Sequence, residues 1–359
     1  MHTHDLRRFA LSLALVAACS GDDATTDATA TATATATTGG ESETETSTAT
    51  STSDTGTTAD TSSTAATTED TTSTTTGETT TGETTTGGAA YSFDVTPGFA
   101  VPESCIWDPV THYWYVSNIA PQSSDFSVPD GQGWISRVDP DGAIADAQWV
   151  AGLDSPAGLA IASGVLFVND IQRVHEIDLA SGQILLTHEF PMVAAFLNDP
   201  AIDATNGIGY TADTFGNTIF QFKVGELGSE AVFVASPELA GPNGLRHEDG
   251  TLYVASLVDF DPVNVGPFLA IDVATQGIAK FSDTLGKWDG LERWEGRFLL
   301  SDNPSGRLVA FDAEGQSEVL FDLMNDHGFG PAADHGVDEA AGVICVPNLG
   351  DSVGWVRTR

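Results

Sequence analysis

The sequence predicts an all-β fold, a six-bladed β-propeller, for residues 91–359. A phrase made of a polar residue, Gly-Leu, a charged turn and an apolar run recurs along this region, as in GPNGLRHEDGTLYVAS (241–256) and WDGLERWEGRFLLSD (288–302). Dipeptides such as Asp-Gly, Ser-Gly and Glu-Gly join the apolar runs, which is typical of β-hairpins. No helical period of useful length interrupts them. Repetition of such units about every 45 residues indicates the blades of a propeller.

Residues 1–19 have the composition of a bacterial lipoprotein signal peptide. Arg7 and Arg8 precede an apolar run that ends at Ala18, and this run is shorter than a membrane-spanning helix. The segment Val16-Ala17-Ala18-Cys19 resembles a lipobox. The resemblance implies an acylated Cys19 and an exported protein anchored by lipid in the bacterial cell envelope, at the periplasmic or surface face of the outer membrane. An ordinary cleaved signal peptide is the alternative.

Residues 20–90 are predicted to be a disordered, Thr-rich tether. Between residues 24 and 88, 31 of 65 positions are Thr and none is Lys, Arg or aromatic. Such a segment cannot bury enough apolar surface to offset the loss of chain entropy on folding. We therefore expect a spacer between the membrane anchor and the folded domain.

The domain at 91–359 is strongly acidic, with 38 Asp plus Glu against 11 Lys plus Arg, a net charge of about −27. This charge argues against nucleic acid and anionic membrane surfaces as partners. It is compatible with cation binding and equally with solubility alone. The membrane is therefore expected as a partner only through the lipid anchor.

Two cysteines, Cys105 and Cys345, lie in the predicted domain. An exported protein can pair them as a disulfide. Their apolar neighbours, Ser-Cys-Ile-Trp and Val-Ile-Cys-Val, favour two buried free thiols instead.

One position before each first strand, here called the anchor, recurs through the six repeats. The anchors are separated by 54, 41, 45, 46 and 44 residues, and they are Glu103, Ala157, Asn198, Asn243, Asp289 and Ala333. Because the first strand of every blade lines the central channel, the anchors should meet at one mouth of the channel. The last repeat holds only three strands after Gly330, and the segment from Ala90 to Val95 is expected to supply the fourth and close the ring.

Four anchors, Glu103, Asn198, Asn243 and Asp289, carry oxygen donors. Two carboxylates and two amides converging from four blades would form a site for one divalent cation. Ca²⁺ is favoured, with Mg²⁺, Mn²⁺ and Zn²⁺ as alternatives. Asn and Asp before Gly are also ordinary turn residues, so each position alone has a purely structural interpretation.

These motifs resemble the gluconolactonase/regucalcin family, also called the senescence-marker-protein family. PESCIWD, LNDPAID, GPNGL and WDGL occur in the order of that family's motifs, one blade apart. The resemblance implies that Glu103, Asn243 and Asp289 hold a divalent metal and that Asp289 acts as a base. It also implies that Asn198 contacts metal, water or substrate.

The chain departs from that family at Phe196, where sugar-lactone members have a substrate-gripping Arg. Trp288 and His327 are further candidates for the pocket wall. Trp288 could instead pack between two blades. His327, in the loop MNDHGFGP, could instead be an ordinary solvated residue. The leading hypothesis is a metal-dependent hydrolase of a lactone or ester. A non-catalytic cell-surface binding module with a structural metal ion is the first alternative, and a purely structural propeller the second. For the hydrolase, the expected partner is a small-molecule substrate at the channel mouth. For the binding module, it is a small-molecule ligand there, a surface glycan or another protein.

Overall fold

The computed structural model describes residues 82–84 and 91–358, apart from 121–125, 191–193, 195, 260 and 262. The predicted signal peptide, Cys19 and nearly all of the predicted tether lie outside the described residues. Gly82–Thr84, within the tether range, forms the short strand β1.

The described residues form six antiparallel sheets, which confirms the predicted all-β, six-bladed propeller. The first blade consists of β3 (Pro102–Asp108), β4 (Tyr113–Asn118), β5 (Gly133–Val138) and β6 (Ile144–Leu153). The second consists of β7 (Pro156–Ala162), β8 (Val165–Asp170), β9 (Arg173–Asp178) and β10 (Ile184–Glu189). The third consists of β11 (Leu197–Asp203), β12 (Ile208–Asp213), β13 (Thr218–Lys223) and β14 (Glu226–Ala235). The fourth blade consists of β15 (Pro242–Glu248), β16 (Thr251–Ser256), β17 (Phe268–Asp272) and β18 (Ile278–Lys280). The fifth consists of β19 (Trp288–Trp294), β20 (Arg297–Asp302), β21 (Arg307–Phe311) and β22 (Ser317–Asp322).

The sixth blade joins the two ends of the described chain. Its strands are β23 (Gly336–Asp338), β24 (Val343–Pro347) and β25 (Ser352–Thr358), and β25 pairs with β2 (Tyr91–Pro97) over seven residues. β1 pairs with the outer side of β2, so this sheet has five strands. The predicted closure of the ring by the segment that follows residue 90 is therefore confirmed.

The hairpins between first and second strands use the predicted turn residues. Asp249-Gly250 and Glu295-Gly296 have positive φ at both positions. This is the geometry of type I′ turns, whose twist matches that of paired strands. Glycine tolerates positive φ without steric cost, which explains why each charged turn in the repeat ends in Gly.

Helix is confined to short pieces among the described residues. They are α1 (Leu323–His327) and the 3₁₀ turns Pro237–Leu239 and Asn303–Ser305. The Asp322 side chain accepts from the backbone N–H of Asn325 at the start of α1, and Gly328 ends the helix in the left-handed region. No helix in the described part of the chain is long and apolar enough to cross a membrane.

Six apolar clusters hold the ring together, and each lies between two neighbouring blades. For example, Leu308 of the fifth blade and Ile344 of the sixth belong to one cluster, and Leu166 of the second blade shares a cluster with Ile135 of the first. All four side chains are fully buried. Burial of one such side chain stabilises the fold by about 1.5–3 kcal/mol, so the ring is held together mainly by packing between blades.

Cys105 and Cys345 are bonded as a disulfide, so the interpretation of two free thiols is wrong. The bond links β3 of the first blade to β24 of the sixth across 240 residues of sequence. Ring closure brings these two strands together, which the apolar neighbours of each cysteine did not reveal. The disulfide therefore lies at the junction where the propeller closes.

We predict that the double variant Cys105→Ala, Cys345→Ala loses unfolding free energy on the order of 5 kcal/mol, because the bond restricts a very long loop in the unfolded chain. Guanidinium denaturation measures the difference. A reductant should lower the midpoint of the wild type and leave that of the double variant unchanged. Equal midpoints for oxidised wild type and double variant would contradict the prediction.

Candidate functional site

Five inner strands carry an irregularity at the same place, and the anchors lie inside it. The pairing register of β3, β7, β11, β15 and β19 with the next strand shifts between Pro102 and Cys105 and at the equivalent positions of the other four blades. The two residues within each shift are Glu103-Ser104, Ala157-Gly158, Asn198-Asp199, Asn243-Gly244 and Asp289-Gly290. β-Bulges of this kind redirect side chains and are frequent beside active sites.

Ala333 takes the anchor position of the sixth blade, as the sequence predicts. Asp338 pairs with Val343 beside the hairpin turn, as Asp108 pairs with Tyr113 in the first blade. Counting back five residues from each aspartate places Ala333 level with Glu103, and Asp334 level with Ser104. The parallel bridge between Ser104 and Asp334 agrees with this register.

Two buried acids, Asp199 and Asp334, directly follow the anchors of the third and sixth blades. Among the bulge residues only the anchors were predicted as site residues, so these two acids were missed. The sequence offered a signal, because the other four anchors are followed by Gly or Ser.

All four predicted metal ligands are buried, and each has an oxygen that accepts no hydrogen bond. Glu103 is 6% exposed, Asn198 8%, Asn243 1% and Asp289 3%. The unpartnered atoms are Glu103 Oε2, Asn198 Oδ1, Asn243 Oδ1 and Asp289 Oδ1. A buried polar atom without a partner is costly, so this set fits a cation as its missing partner.

The carboxylates at the mouth are close enough to disfavour one another's charge. Burial raises the pKa of Glu103, and the charges of Asp289 and Asp334 raise it further. Burial also raises the pKa of Asp334, against a hydrogen bond from Ser104, with Glu292 and Asp289 adding to the rise. For Asp199, burial and then the charge of Asp334 are the largest causes of a raised pKa. These groups therefore form one acidic cluster on the inner strands.

Asp289 is the best-defined carboxylate of the cluster. Burial raises its pKa to about 7, against hydrogen bonds from the Asn303 and Asn243 amides that favour the anion. Asn303 donates to Oδ2, whereas Oδ1 accepts no hydrogen bond. Asp289 therefore presents one free oxygen while its other oxygen is held in place.

A cation at this mouth would depend on amides as well as carboxylates. No group of three or more His, Cys, Asp or Glu side chains is placed to hold a metal ion within the described ranges. The predicted set has only two carboxylates, so the Asn198 and Asn243 amide oxygens would have to complete it. Oxygen donors of this mixed type suit Ca²⁺.

His335 directly follows Asp334 and is 1% exposed. Neither ring nitrogen has a hydrogen-bond partner. Burial lowers the pKa of His335 to about 3, so the ring is neutral at physiological pH.

The three weaker pocket candidates lie in different surroundings. Phe196 directly precedes β11, is half-buried, and has its ring centroid 6.3 Å from that of Phe215. Trp288 is 2% exposed and packs edge-on to Phe311 in the cluster between the fourth and fifth blades. The structure thus places Trp288 in the core, as its alternative interpretation proposed.

The structure does not bring His327 to the anchors. It ends α1, where its ring stacks on Phe93 at 4.6 Å and its Nε2 lies 3.2 Å from the Tyr91 hydroxyl. Both partners belong to β2, the strand that joins the ends of the chain. A loop before the last blade gave no sequence signal that it would fold back onto β2.

Polar residues at the ends of the second strands have a structural role. Asn118 Oδ1 accepts from Ala100 N–H, and Asp302 Oδ1 accepts from Lys287 N–H. Similar bonds to backbone N–H groups are made by Asp170, Asp213 and Asn348. Most of these bonds fix the segment that leads into an inner strand, which positions the bulge.

Comparisons with known proteins establish the fold. No family model matches the chain, and no curated protein matches it. A gluconolactonase from Xanthomonas campestris has a TM-score of 0.55 at 18% identity, over 75% of this chain and 90% of that one. A streptogramin B lyase has a TM-score of 0.50 at 11% identity, over 74% and 98%.

A virginiamycin B lyase from Staphylococcus aureus, solved with quinupristin, has a TM-score of 0.50 at 13% identity, over 74% of this chain and all of that one. At these identities the similarity concerns architecture. The chain shares a six-bladed propeller fold with a gluconolactonase and with streptogramin B and virginiamycin B lyases.

The glycine after an anchor allows neighbouring inner strands to approach closely. A Cβ on Gly290 would lie 2.7 Å from His335 N and 2.8 Å from Asp334 Cα. We predict that Gly290→Ala lowers the unfolding free energy by about 1–3 kcal/mol, because the two strands must separate. Thermal or denaturant unfolding measures the loss.

Gly277→Ala is the matched control, because its Cβ would meet only the Thr275 hydroxyl, at 3.3 Å, in a turn. This variant should change stability by less than about 0.5 kcal/mol. A Gly290→Ala variant as stable as the Gly277→Ala variant would show that the bulges are not closely packed.

Proposed function

We propose that this protein holds one divalent cation at the channel mouth and hydrolyses a lactone or ester there. The observation that carries the proposal is the set of four buried, unpartnered oxygens contributed by Glu103, Asn198, Asn243 and Asp289. They come from four different blades and lie at the same register position of the inner strands. Turn residues alone would have no need to leave four buried acceptors unsatisfied.

The donor set favours Ca²⁺, with Mg²⁺, Mn²⁺ and Zn²⁺ as alternatives. Carboxylate and amide oxygens are hard donors, and none of the four is a sulfur or imidazole ligand. A cation would also offset the mutual repulsion of Glu103, Asp289 and Asp334. The fold shared with a gluconolactonase is compatible with this proposal.

When bound, such an ion polarises a carbonyl and makes a bound water more acidic. Asp289 Oδ1, which accepts no hydrogen bond, is the chain's acceptor for the proton of the attacking water. Asn303 holds Oδ2 of the same carboxylate, which keeps Oδ1 directed at the site. The water oxygen bonds to the carbonyl carbon, the acyl C–O bond breaks, and Asp289 returns the proton to the leaving oxygen.

Asn198 has a positioning role in this scheme. Its Nδ2 lies 3.5 Å from the Thr214 hydroxyl, which itself donates to Pro242 O. This contact assigns Oδ1 as the free end of the amide and turns it toward the site. Asn198 would then hold the ion or orient water and substrate.

The substrate side of the mouth is apolar at Phe196. The half-buried ring contacts Phe215 at the position where resembling sugar lactonases carry an Arg. An aromatic pair offers no charge-assisted hydrogen bond to hydroxyl or carboxylate groups. We therefore propose a substrate with an apolar portion rather than a sugar lactone.

The second candidate is a non-catalytic binding module with a structural cation. The same observation favours it, because Phe196 removes the group that grips substrate in the resembling enzymes. In that case the ion would stabilise the ring, and the mouth would bind a small molecule without converting it. Activity measurements separate the two candidates.

An exported, lipid-anchored state through Cys19 remains part of the proposal. The Cys105–Cys345 disulfide supports it, because disulfides persist in the oxidising environment outside the cytosol. Small molecules are the proposed partners, and the membrane is contacted only through the anchor.

We predict that the metal-stripped protein binds one divalent ion, and that Asp289→Asn and Glu103→Gln each weaken binding by at least about tenfold, because each removes a carboxylate charge from the site. Isothermal titration with Ca²⁺, Mg²⁺, Mn²⁺ and Zn²⁺ measures affinity, and a lactone and ester screen measures hydrolysis. Glu314→Gln removes the same charge from an exposed turn and should bind as the wild type does. Failure of the wild type to bind any of the four ions would overturn the proposal, and binding without hydrolysis would favour the binding module.

A further inference from the structure

The second strand of each blade ends beside the bulge of the first strand, and its penultimate residue is polar in three blades. These residues are Ser117 of β4, Asn169 of β8 and Ser301 of β20. The equivalent residues of the other three blades are Ala212, Ala255 and Val346. All three polar side chains are fully buried. Since a buried polar group requires a hydrogen-bond partner, the partners of these three side chains indicate what the position does.

Both blades with a carboxylate anchor carry serine at this position. The Ser104 N–H donates to Ser117 Oγ at 2.9 Å, and the Gly290 N–H donates to Ser301 Oγ at 2.8 Å. Each of these N–H groups belongs to the residue that directly follows the carboxylate anchor, inside the register shift of the inner strand. Each serine hydroxyl therefore holds the peptide group that joins the anchor to the next residue.

Asn169 holds the same peptide group in the next blade. Its Nδ2 donates to Asn198 O at 2.6 Å and to Thr211 Oγ1 at 2.7 Å. Asn198 is the anchor of the third blade, where the penultimate residue of the second strand is Ala212, which has no polar side-chain atom. Three of the four candidate ligands thus have the peptide group that follows them held by a buried side chain.

We propose that Ser117, Asn169 and Ser301 are positioning residues of the cation site. They fix the peptide groups next to three anchors, which sets the direction in which each anchor side chain leaves its bulge. The fourth ligand, Asn243, is held through its own side chain, which donates a hydrogen bond to Asp289. This inference rests on the proposed cation site and adds to it residues that act through the ligands without touching the ion.

The bulge itself does not require a polar residue at this position. The fourth blade carries Ala255 there, and its inner strand shows the same register shift between Pro242 and Leu245. Ala255 packs in the apolar cluster between the fourth and fifth blades. Formation of the bulge therefore does not explain the hydroxyl and amide groups, and orientation of the anchors does.

Isothermal titration of the metal-stripped whole protein with Ca²⁺, Mg²⁺, Mn²⁺ and Zn²⁺ tests the inference. We expect Ser117→Ala, Asn169→Ala and Ser301→Ala each to weaken binding of the preferred ion about tenfold, because loss of a group that orients a ligand lowers metal affinity. The natural Ala212 and Ala255 show that the fold accepts alanine at this position. Unfolding curves recorded first establish that each variant is folded.

Ser282→Ala is the matched control. Ser282 is 5% exposed, and its hydroxyl also accepts from a backbone N–H, that of Thr284 at 3.1 Å, and donates to Gly315 O at 2.6 Å. It follows β18, the last strand of the fourth blade, so the variant loses comparable hydrogen bonds outside the inner strands. It should lose stability as the other serine variant proteins do and keep wild-type metal affinity.

A double variant shows whether Ser301 acts through Asp289. In the Asp289→Asn background, Ser301→Ala should weaken binding by less than about twofold, because the carboxylate that Ser301 orients is already gone. A full tenfold loss in that background would overturn the positioning role.

Losses of affinity no larger than that of Ser282→Ala in all three alanine variants would also overturn the inference, while leaving the four-residue site intact. A wild type that binds none of the four ions would instead defeat the proposed function itself.

Discussion

The pairing of β2 with β25 is the constraint on which the rest of the molecule depends. Seven residue pairs, from Tyr91 with Thr358 to Pro97 with Ser352, join the two ends of the described chain within one sheet. Without this pairing the sixth blade would lose one strand and end in an open edge. The Cys105–Cys345 bond and the bridge between Ser104 and Asp334 both lie at this junction. The geometry of the channel mouth is therefore a consequence of ring closure.

The mouth concentrates buried acids that lack a basic partner among the described residues. The clusters between blades are apolar and mutually packed, and buried His188 there contacts both Glu176 and Glu230. The inner strands instead bury several acids with raised pKa values. Natural proteins break the rules of local consistency mainly at functional or strained sites. The bulges localise this departure, because two residues in each inner strand leave the ladder while the strands on either side keep it.

The fold was predictable from the sequence because its signals are local. Turn dipeptides, apolar runs and a period near 45 residues each lie within one hairpin or one blade, and they led to the correct number of blades and the correct closing strand. The four polar anchors were predictable for the same reason, since Asn243-Gly244 and Asp289-Gly290 repeat one phrase. Two features depend on contacts between distant segments and were missed. They are the disulfide and the packing of His327 on Phe93.

The anchors show how a repeat fold separates scaffold from chemistry. Strand pairing fixes which residue enters each bulge, whatever its side chain, so the six positions can vary without disturbing the blades. Around the ring they are Glu103, Ala157, Asn198, Asn243, Asp289 and Ala333. A symmetric ring of six acids would repel itself without leaving space for a ligand, and a ring of six small residues would bind nothing. With oxygen donors on four blades and only methyl groups on the second and sixth, the mouth would hold one cation and still leave room for a neutral, partly apolar molecule to approach it.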